Sequence, residues 1–462
     1  MTASRIETLL EQDHLTGRLV ERGLNGPSAI AAGDQFARAV RALIDDGLAG
    51  QSEAIALYAP GRIEVLGKHT DYCGGHSLIC AAQRGICFVA VRRDDAVIRA
   101  LAPDLRDACE FALAPDIVPH IGHWSNYPMT VARRIARNFP GDLRGASIAY
   151  CGNLPPDAGM SSSSAVLTGM FLLISHINAL ETRSEYRDNI QGREALASYL
   201  GTIENGSSFG SLSGSSGVGT FGGSEDHTAI LNAVAGSISR YSYCPVEFHE
   251  NLPLDDDYVF SIACSGVSAP KTGTARDKYN RMSRRASVIL DLWRSSTGRC
   301  DSNLSAAIAN APDTLESFAS ILAAGFDDLT GDELTTRLDH FLAENHEIIP
   351  AACKALHCGN MVQFGRQVDR SQELADTLLG SQIPQTVFLA RSARELGAVA
   401  ASSFGAGFGG AVWALVRRDG LEAFEEQWAG RYAEAFPPES KAASFFSTDP
   451  GPAAFFACGR DE

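Results

Sequence analysis

Three glycine-rich segments carry most of the chemistry readable in this chain. The first, Gly61 to Gly75, reads Gly-Arg-Ile-Glu-Val-Leu-Gly-Lys-His-Thr-Asp-Tyr-Cys-Gly-Gly. An apolar strand with Ile63, Val65 and Leu66 separates a cation, Arg62, from a polar cluster of Lys68, His69 and Asp71. Paired glycines then let the backbone turn sharply. The combination suits a ligand-facing loop, and an ordinary strand ending in a hydrophilic turn has the same ingredients. The second segment, Cys151 to Ala165, runs from a strand through a tight turn into a helix. Pro155 and Pro156 stiffen the turn, and Gly159 permits close backbone approach. Ser161, Ser162, Ser163 and Ser164 bring hydroxyls and backbone N–H groups to a helix N-terminus, a cradle for phosphate. A serine hydroxyl there can also ligate Mg2+. Serines cap ordinary helices too, but four in a row behind Pro-Pro-Asp-Ala-Gly exceed what a cap requires.

The third segment, Ser402 to Gly410, contains the spacing Gly-x-Gly-x-x-Gly. Its glycines precede a strand, 411–416, instead of opening a helix after one, which excludes a dinucleotide-binding turn. No Gly-x-x-x-x-Gly-Lys-Ser/Thr stretch exists, so Walker-type NTPases are excluded as well. What remains is a backbone that passes close to something bulky.

The elements that must position these segments follow from periodicity. Residues 1–50 read as helical, with Phe36, Val40, Leu43 and Ile44 at helical spacing. Strands are expected at 54–58, 62–66, 77–81, 87–92 and 97–101, a helix at 124–138, a strand at 146–151 and a long apolar helix within 159–180. A Gly/Ser-rich tract between Asn205 and Gly223 reads as a mobile loop. The later half holds a strand at 258–264, several long helices, a strand at 411–416, a helix at 420–435 and a strand at 442–447. Strands and helices mix without strict βαβ alternation, which favours α+β.

Composition narrows the function. The chain has 462 residues, a hydrophobic content of 45% and a formal net charge of −16. Such a surface repels nucleic-acid phosphates and acidic membranes, so neither is an expected partner. The start of the chain has no signal-peptide core, and no apolar run reaches the roughly 18 residues a membrane span needs. The eleven cysteines are scattered, several in apolar runs (Cys80, Cys87, Cys264, Cys458), and read as reduced core thiols. Cys353, His357 and Cys358 fit no common zinc spacing. A soluble cytoplasmic protein is expected.

In this order the three segments resemble those of the GHMP kinases, and within them the galactokinase subfamily. The first is similar to that subfamily's Gly-Arg-x-Asn-Leu-Ile-Gly-Glu-His-Thr-Asp-Tyr-Asn-Gly-Gly. The second is similar to Pro-x-Gly-x-Gly-Leu-Ser-Ser-Ser-Ala, and the third to Thr-Gly-Ala-Gly-Phe-Gly-Gly. Weaker likenesses lie at Trp124-Ser-Asn-Tyr127, Gly222-Gly-Ser-Glu-Asp-His227 and Tyr279-Asn-Arg-Met282. The resemblance implies a two-domain α+β fold with ATP and sugar in the inter-domain cleft. A helical extension would span residues 1–50, the ATP-binding domain 51–240 and the carboxy-terminal domain 241–462. It implies transfer of the ATP γ-phosphoryl group to the anomeric hydroxyl of galactose or a related sugar, with Mg2+ as cofactor. Asp226 would be the general base and Arg62 its charge partner. Lys68, His69, Asp71, Gly223 and Tyr279 would face the sugar. Trp124, Pro156, Gly159, Ser161, Ser162, Ser163, Ser164 and Gly407 would face ATP, with Trp124 at the adenine. Glu204 and Ser163 would hold the metal, or Ser162 in place of Ser163, given the one extra serine. The oligomeric state is left open.

The chain departs from the pattern at specific points. Lys68 stands where galactokinases carry a glutamate that accepts from the sugar's exocyclic hydroxymethyl, and lysine has no acceptor. Facing the sugar, it would favour a carboxylate such as that of galacturonate by about 1.5–3 kcal/mol. Turned away, it would leave galactose or arabinose acceptable. Glu64 replaces the usual asparagine and is expected to pair with Lys68 or Arg62. The Gly/Ser tract inserts extra residues between Glu204 and Asp226, and the serine loop reads Pro-Asp-Ala-Gly. Two other readings are a non-catalytic sugar and ATP sensor and a kinase for another small alcohol, such as mevalonate or homoserine. Against the latter, the His69-Thr-Asp-Tyr72 cluster suits a polyhydroxylated substrate.

Overall fold

The computed structural model describes residues 4–155, 158–267, 273–310, 314–405 and 407–458. Two long strands, Glu53–Leu66 and His76–Arg92, form the antiparallel hairpin on which the first glycine segment sits. The sequence suggests two short strands in each place, yet each runs through as one. Pro60 is accommodated opposite Gly85 where the register shifts, a position that requires no donor from proline. A second shift lies between Glu64 and Leu66. Arg62 and Glu64 therefore sit between two irregularities, which is where strands re-aim their side chains.

The hairpin belongs to a ten-stranded sheet among the described residues, antiparallel except where Val97–Ala102 runs beside Ala146–Gly152. Its central strands bury both faces. In His76–Arg92, Ile86, Phe88 and Ala90 pack with Val131, Leu167, Phe171 and Tyr199 of the helices on one side. Cys87, Val89 and Val91 alternate to the other side and meet Phe36, Val40 and Leu43 of helix Gly26–Asp45. The amino-terminal helix thus covers the back of this sheet.

The second sheet has four antiparallel strands, ordered Ala400–Ser403, Ala411–Arg417, Tyr258–Cys264 and Ser444–Thr448. One core joins both sheets: Ile63, Val65, Leu78 and Cys80 of the hairpin pack with Phe260, Ile262, Phe404 and Trp413. The Trp413 indole donates to the Glu64 carbonyl at 3.1 Å. Strands Pro450–Gly451 and Phe455–Cys458 then return to the first sheet. No helix among the described residues is long and apolar enough to cross a membrane.

Helix Gly331–Leu342 and the π-helical turn Ala343–Ile348 form a platform under the loop that follows the first strand. Arg337 donates to the His69 carbonyl at 2.5 Å, and Glu344 accepts from the Gly67 amide at 2.8 Å. Asn345 accepts from the His76 amide at 2.8 Å. The Gly/Ser tract, expected to be mobile, is instead pinned by the polar face of helix Asn126–Asn138. Asn126 donates to the Val218 carbonyl at 3.0 Å, Arg134 to Ser207 at 2.6 Å, Asn138 to Ser213 at 3.1 Å, and Arg133 to Ser216. Asn280, from the long helix Gly273–Thr297, closes its far end through Gly219 and Phe221.

Three histidines meet where the platform touches the first sheet. The His76 ring lies 4.8 Å from that of His249, tilted by 50°, with His346 nearby. Burial, with His249, Arg240 and His346 beside it, pushes His76 down to about 4, and burial also lowers His249 and His346. The folded state resists protons that an unfolded histidine accepts at about pH 6.5. This contribution to stability is complete above that pH and is lost as pH falls toward about 4. Urea midpoints should fall over this window, and His76→Asn should make the fall shallower. Identical slopes for variant and wild type would place the acid sensitivity elsewhere.

Candidate active site

A cavity of about 730 Å³ lies in the cleft between the two sheets, and all three glycine segments reach it. At its centre the Arg62 guanidinium, 4% exposed, donates through Nε to Asp226 Oδ1 at 2.8 Å and through Nη2 to the same oxygen. Its Nη1 donates to the Gly159 carbonyl at 3.2 Å, and Glu225 lies 3.6 Å from Nε. Burial alone would lower the Arg62 pKa, but Asp226, Glu225 and Glu64 overcome it and raise the value, so the cation persists. Arg62 also donates its backbone N–H to Met160 at 3.1 Å. One residue thereby ties the first segment to the serine loop and to Asp226.

Asp226 occupies the first turn of helix Glu225–Asn232. Asp71 holds that turn in place. Its Oδ2 accepts from the Glu225 amide at 3.2 Å and its Oδ1 from the Tyr72 amide at 2.9 Å. A carboxylate at a helix N-terminus is favoured by the helix dipole, although burial raises the Asp71 pKa. A Cβ on Gly223 would lie 2.4 Å from Asp71 Oδ2, so the approach needs glycine. His69, held in the left-handed region at φ 58°, meets the Tyr72 hydroxyl at 2.9 Å and the Tyr279 ring at 5.4 Å. His69, Asp71, Gly223 and Tyr279 all line the cavity beside Arg62 and Asp226.

Ser161, Ser162 and Ser163 line it from the start of helix Ser162–Ile177. The serine and third glycine loops pack backbone on backbone. A Cβ on Gly159 (φ 75°) would lie 3.0 Å from the Phe404 carbonyl oxygen, and one on Gly405 (φ 81°) 2.9 Å from that of Gly159. The bulky object that the third segment must pass is therefore the second segment. Gly407 also lines the cavity, and Pro156 lies outside the described residues. An apolar mouth of Ile86, Leu105, Ile121, Trp124 and Tyr150 completes it, with the Trp124 indole donating to Asp107 at 2.7 Å.

Three family models match this arrangement: the galactokinase galactose-binding signature over residues 48–93, the GHMP kinase N-terminal domain over 126–214 and the GHMP kinase C-terminal domain over 348–434. The chain carries both GHMP kinase domains together with the galactokinase galactose-binding signature. A galactokinase of Haemophilus influenzae is 37% identical over 112 residues, 24% of this chain and 29% of that protein. The chain therefore aligns with under a third of that relative's length. One from Roseiflexus sp. strain RS-1 is 26% identical over 387 residues, 82% of this chain and 88% of that protein. Among solved structures, Lactococcus lactis galactokinase complexed with galactose superposes with a TM-score of 0.73 at 22% identity, covering 90% of this chain and 99% of that one. Mevalonate kinase of Methanococcus jannaschii gives 0.53 at 15%, covering 86% and 98%. At these identities the structures establish the fold.

Two residues sit differently from what the motifs suggest. Lys68 does not line the cavity. It is 2% exposed, and its ammonium donates to the Ser402 hydroxyl at 2.7 Å, which in turn donates to Gln372 at 2.9 Å. The hydroxyl that meets Glu204 belongs to Ser164, not Ser163. Ser164 Oγ lies 3.0 Å from Glu204 Oε2 and 3.2 Å from Asp226 Oδ2. Ser164 turns inward in the first helical turn and is fully buried, while Ser163 faces the cavity. The inserted tract leaves Glu204 in reach of Asp226, because its ends meet: Val218 donates its amide to the Glu204 carbonyl at 2.8 Å.

The motifs do not single out Glu225 or the role of His227. Glu225 lies against Arg62, and burial holds its pKa well above the usual carboxylate range, with the nearby Glu64 acting in the same direction. His227, fully buried, contacts Glu204 Oε2 and Thr168 Oγ1, both at 3.1 Å. Both flank Asp226, and that adjacency is the signal available in the sequence. The loop contact gives a test. Gly405→Ala should cost about 1–2 kcal/mol in urea unfolding through its left-handed backbone and the clash with Gly159. An unchanged midpoint would mean that the two loops part freely.

Proposed function

We propose that this protein is an ATP-dependent sugar 1-kinase that phosphorylates the anomeric hydroxyl of galactose or a related neutral sugar. The observation that carries the reading is the Arg62–Asp226 pair, joined through Gly159 and Ser164 to the serine loop. Residues 51–240 would supply the ATP-binding half and 241–462 the other. In the proposed reaction, the Asp226 carboxylate takes the sugar hydroxyl proton as that oxygen attacks phosphorus. Arg62 keeps Asp226 ionised and offsets developing charge. Ser161, Ser162 and Ser163 present the helix N-terminus to the phosphates, and Trp124 with its apolar neighbours receives the base. His69, Asp71 and Tyr279 face sugar hydroxyls, and Asp71 also fixes the helix that carries Asp226.

Glu204 with Ser163 or Ser164 offers hard oxygen donors of the kind Mg2+ takes, so the residues present fit that ion. A bound Mg2+ would neutralise charge on the transferring phosphate. The uronate reading loses its main support, because Lys68 hydrogen-bonds Ser402 and does not line the cavity. The protein would work in the cytoplasm, on sugar and ATP.

In a coupled assay with galactose, Asp226→Asn should lower kcat by about 100-fold or more. ATP affinity by calorimetry should change little. Turnover at the wild-type rate would remove Asp226 as the base, and a wild-type protein that binds sugar and ATP without turnover would favour the sensor.

A further inference from the structure

The turn between strands Val97–Ala102 and Asp107–Ala112 reaches the mouth of the cavity, where Asp104 and Leu105 line it. At the start of the second strand, both oxygens of the Asp107 carboxylate are engaged. Oδ1 accepts from the Ala108 amide at 2.8 Å, and Oδ2 from the Trp124 indole at 2.7 Å. His123 Nε2 lies 3.2 Å from the same Oδ2. The Ser125 amide donates to His123 Nδ1 at 3.3 Å, which leaves the ring proton on Nε2, facing Asp107. These contacts hold the Asp107 carboxyl below its usual range, with the indole the largest cause. Asp107 itself does not line the cavity, whereas His123 and Trp124 do. An indole has one polar atom, a donor. With that atom committed to Asp107, Trp124 has only carbon surface to offer a ligand in the cavity. Tyr150 meets the ring edge-on at 6.1 Å and 68°, and the mouth also holds Leu105 and Ile121, 57% and 72% exposed. Exposed aliphatics around an aromatic ring suit a flat, largely apolar ligand.

We propose that Asp107 is a positioning residue for the nucleotide, fixing the Trp124 indole so that a purine base stacks on it at the mouth of the cavity. The inference rests on the reading of this mouth as the base site. A ring free to turn about its side-chain torsions must be ordered when a base arrives, a cost that a preformed contact removes. Asparagine at 107 keeps an acceptor oxygen, and alanine removes it. Phenylalanine at 124 keeps an aromatic face without a donor.

The test measures ATP dissociation constants by calorimetry, and kcat and KM with galactose, in the full-length protein and its variants. Asp107→Ala should weaken ATP binding about fivefold, while the galactose KM and the kcat at saturating ATP stay within about twofold of wild type. Asp107→Asn should keep ATP affinity within about twofold of wild type. In a Trp124→Phe background, Asp107→Ala should have little further effect. The other three tryptophans, Trp293, Trp413 and Trp428, are 3% exposed or less, so acrylamide quenching of fluorescence reports on Trp124. ATP should reduce that quenching in the wild type. Unchanged ATP affinity in Asp107→Ala, an equal rise in its galactose KM, or the same loss in the phenylalanine background would overturn the assignment of Asp107. A Trp124→Ala variant that binds ATP like wild type, or quenching that ATP does not reduce, would overturn the base-site reading and this inference with it. A wild type that phosphorylates no sugar would overturn the kinase reading, and the ATP dissociation constants would then decide the role of Asp107 by themselves.

Discussion

The Arg62 guanidinium is buried among acids, and much of the cleft is arranged around it. It holds Asp226 through Nε and Nη2, reaches the Gly159 carbonyl through Nη1, lies beside Glu225 and ties its own amide to Met160. A cation so far from water is tolerable only because its carboxylate and carbonyl partners compensate for lost solvation. Those partners come from two other stretches of chain, so the ion pair also specifies how the strand, the serine loop and the helix 225–232 meet. Removing the cation would leave Asp226, Glu225 and Glu64 facing one another without a counter-charge, which is the more costly defect.

The scaffold supports this centre from two directions. The shared core of Ile63, Val65, Phe260 and Trp413 fixes the hairpin against the second sheet, and the indole bond to the Glu64 carbonyl sets its height. From below, Arg337, Glu344 and Asn345 hold the backbone of residues 67–76. Lys68 has joined this supporting layer. Its hydrogen bond runs to Ser402, the first residue of the third glycine segment, so it links the first segment to the third.

Much of this was legible in the sequence. The buried faces of strands and helices followed from spacing at residues such as Phe36, Val40 and Leu43, and the three motifs pointed to one cleft. Long-range choices were not legible. Nothing local to Lys68 says that Ser402, 334 residues away, will take its ammonium. Proline lacks a donor, and only the partner Gly85 and the register shift make Pro60 tolerable within a strand. The Gly/Ser tract looked mobile by composition, but its carbonyls are captured by buried polar groups of helix 126–138 that spacing alone does not aim. Ser163 and Ser164 differ by one helical step, and the facing helix decides which of them turns inward.

The way the Gly/Ser tract is closed has a consequence for how this cleft can vary. Its excursion leaves at Glu204 and returns at Val218 through a hydrogen bond between those two residues, with Asn205 donating to Gly222 at 2.9 Å just beyond. Length is thereby separated from geometry, since the neck is fixed and only the excursion lies outside it. The entropy of closing a loop grows only slowly with the number of residues it contains. Added residues at its tip would leave the acids behind the neck in place, whereas loss of the tract would strip the buried Arg134 and Asn138 of their carbonyl partners.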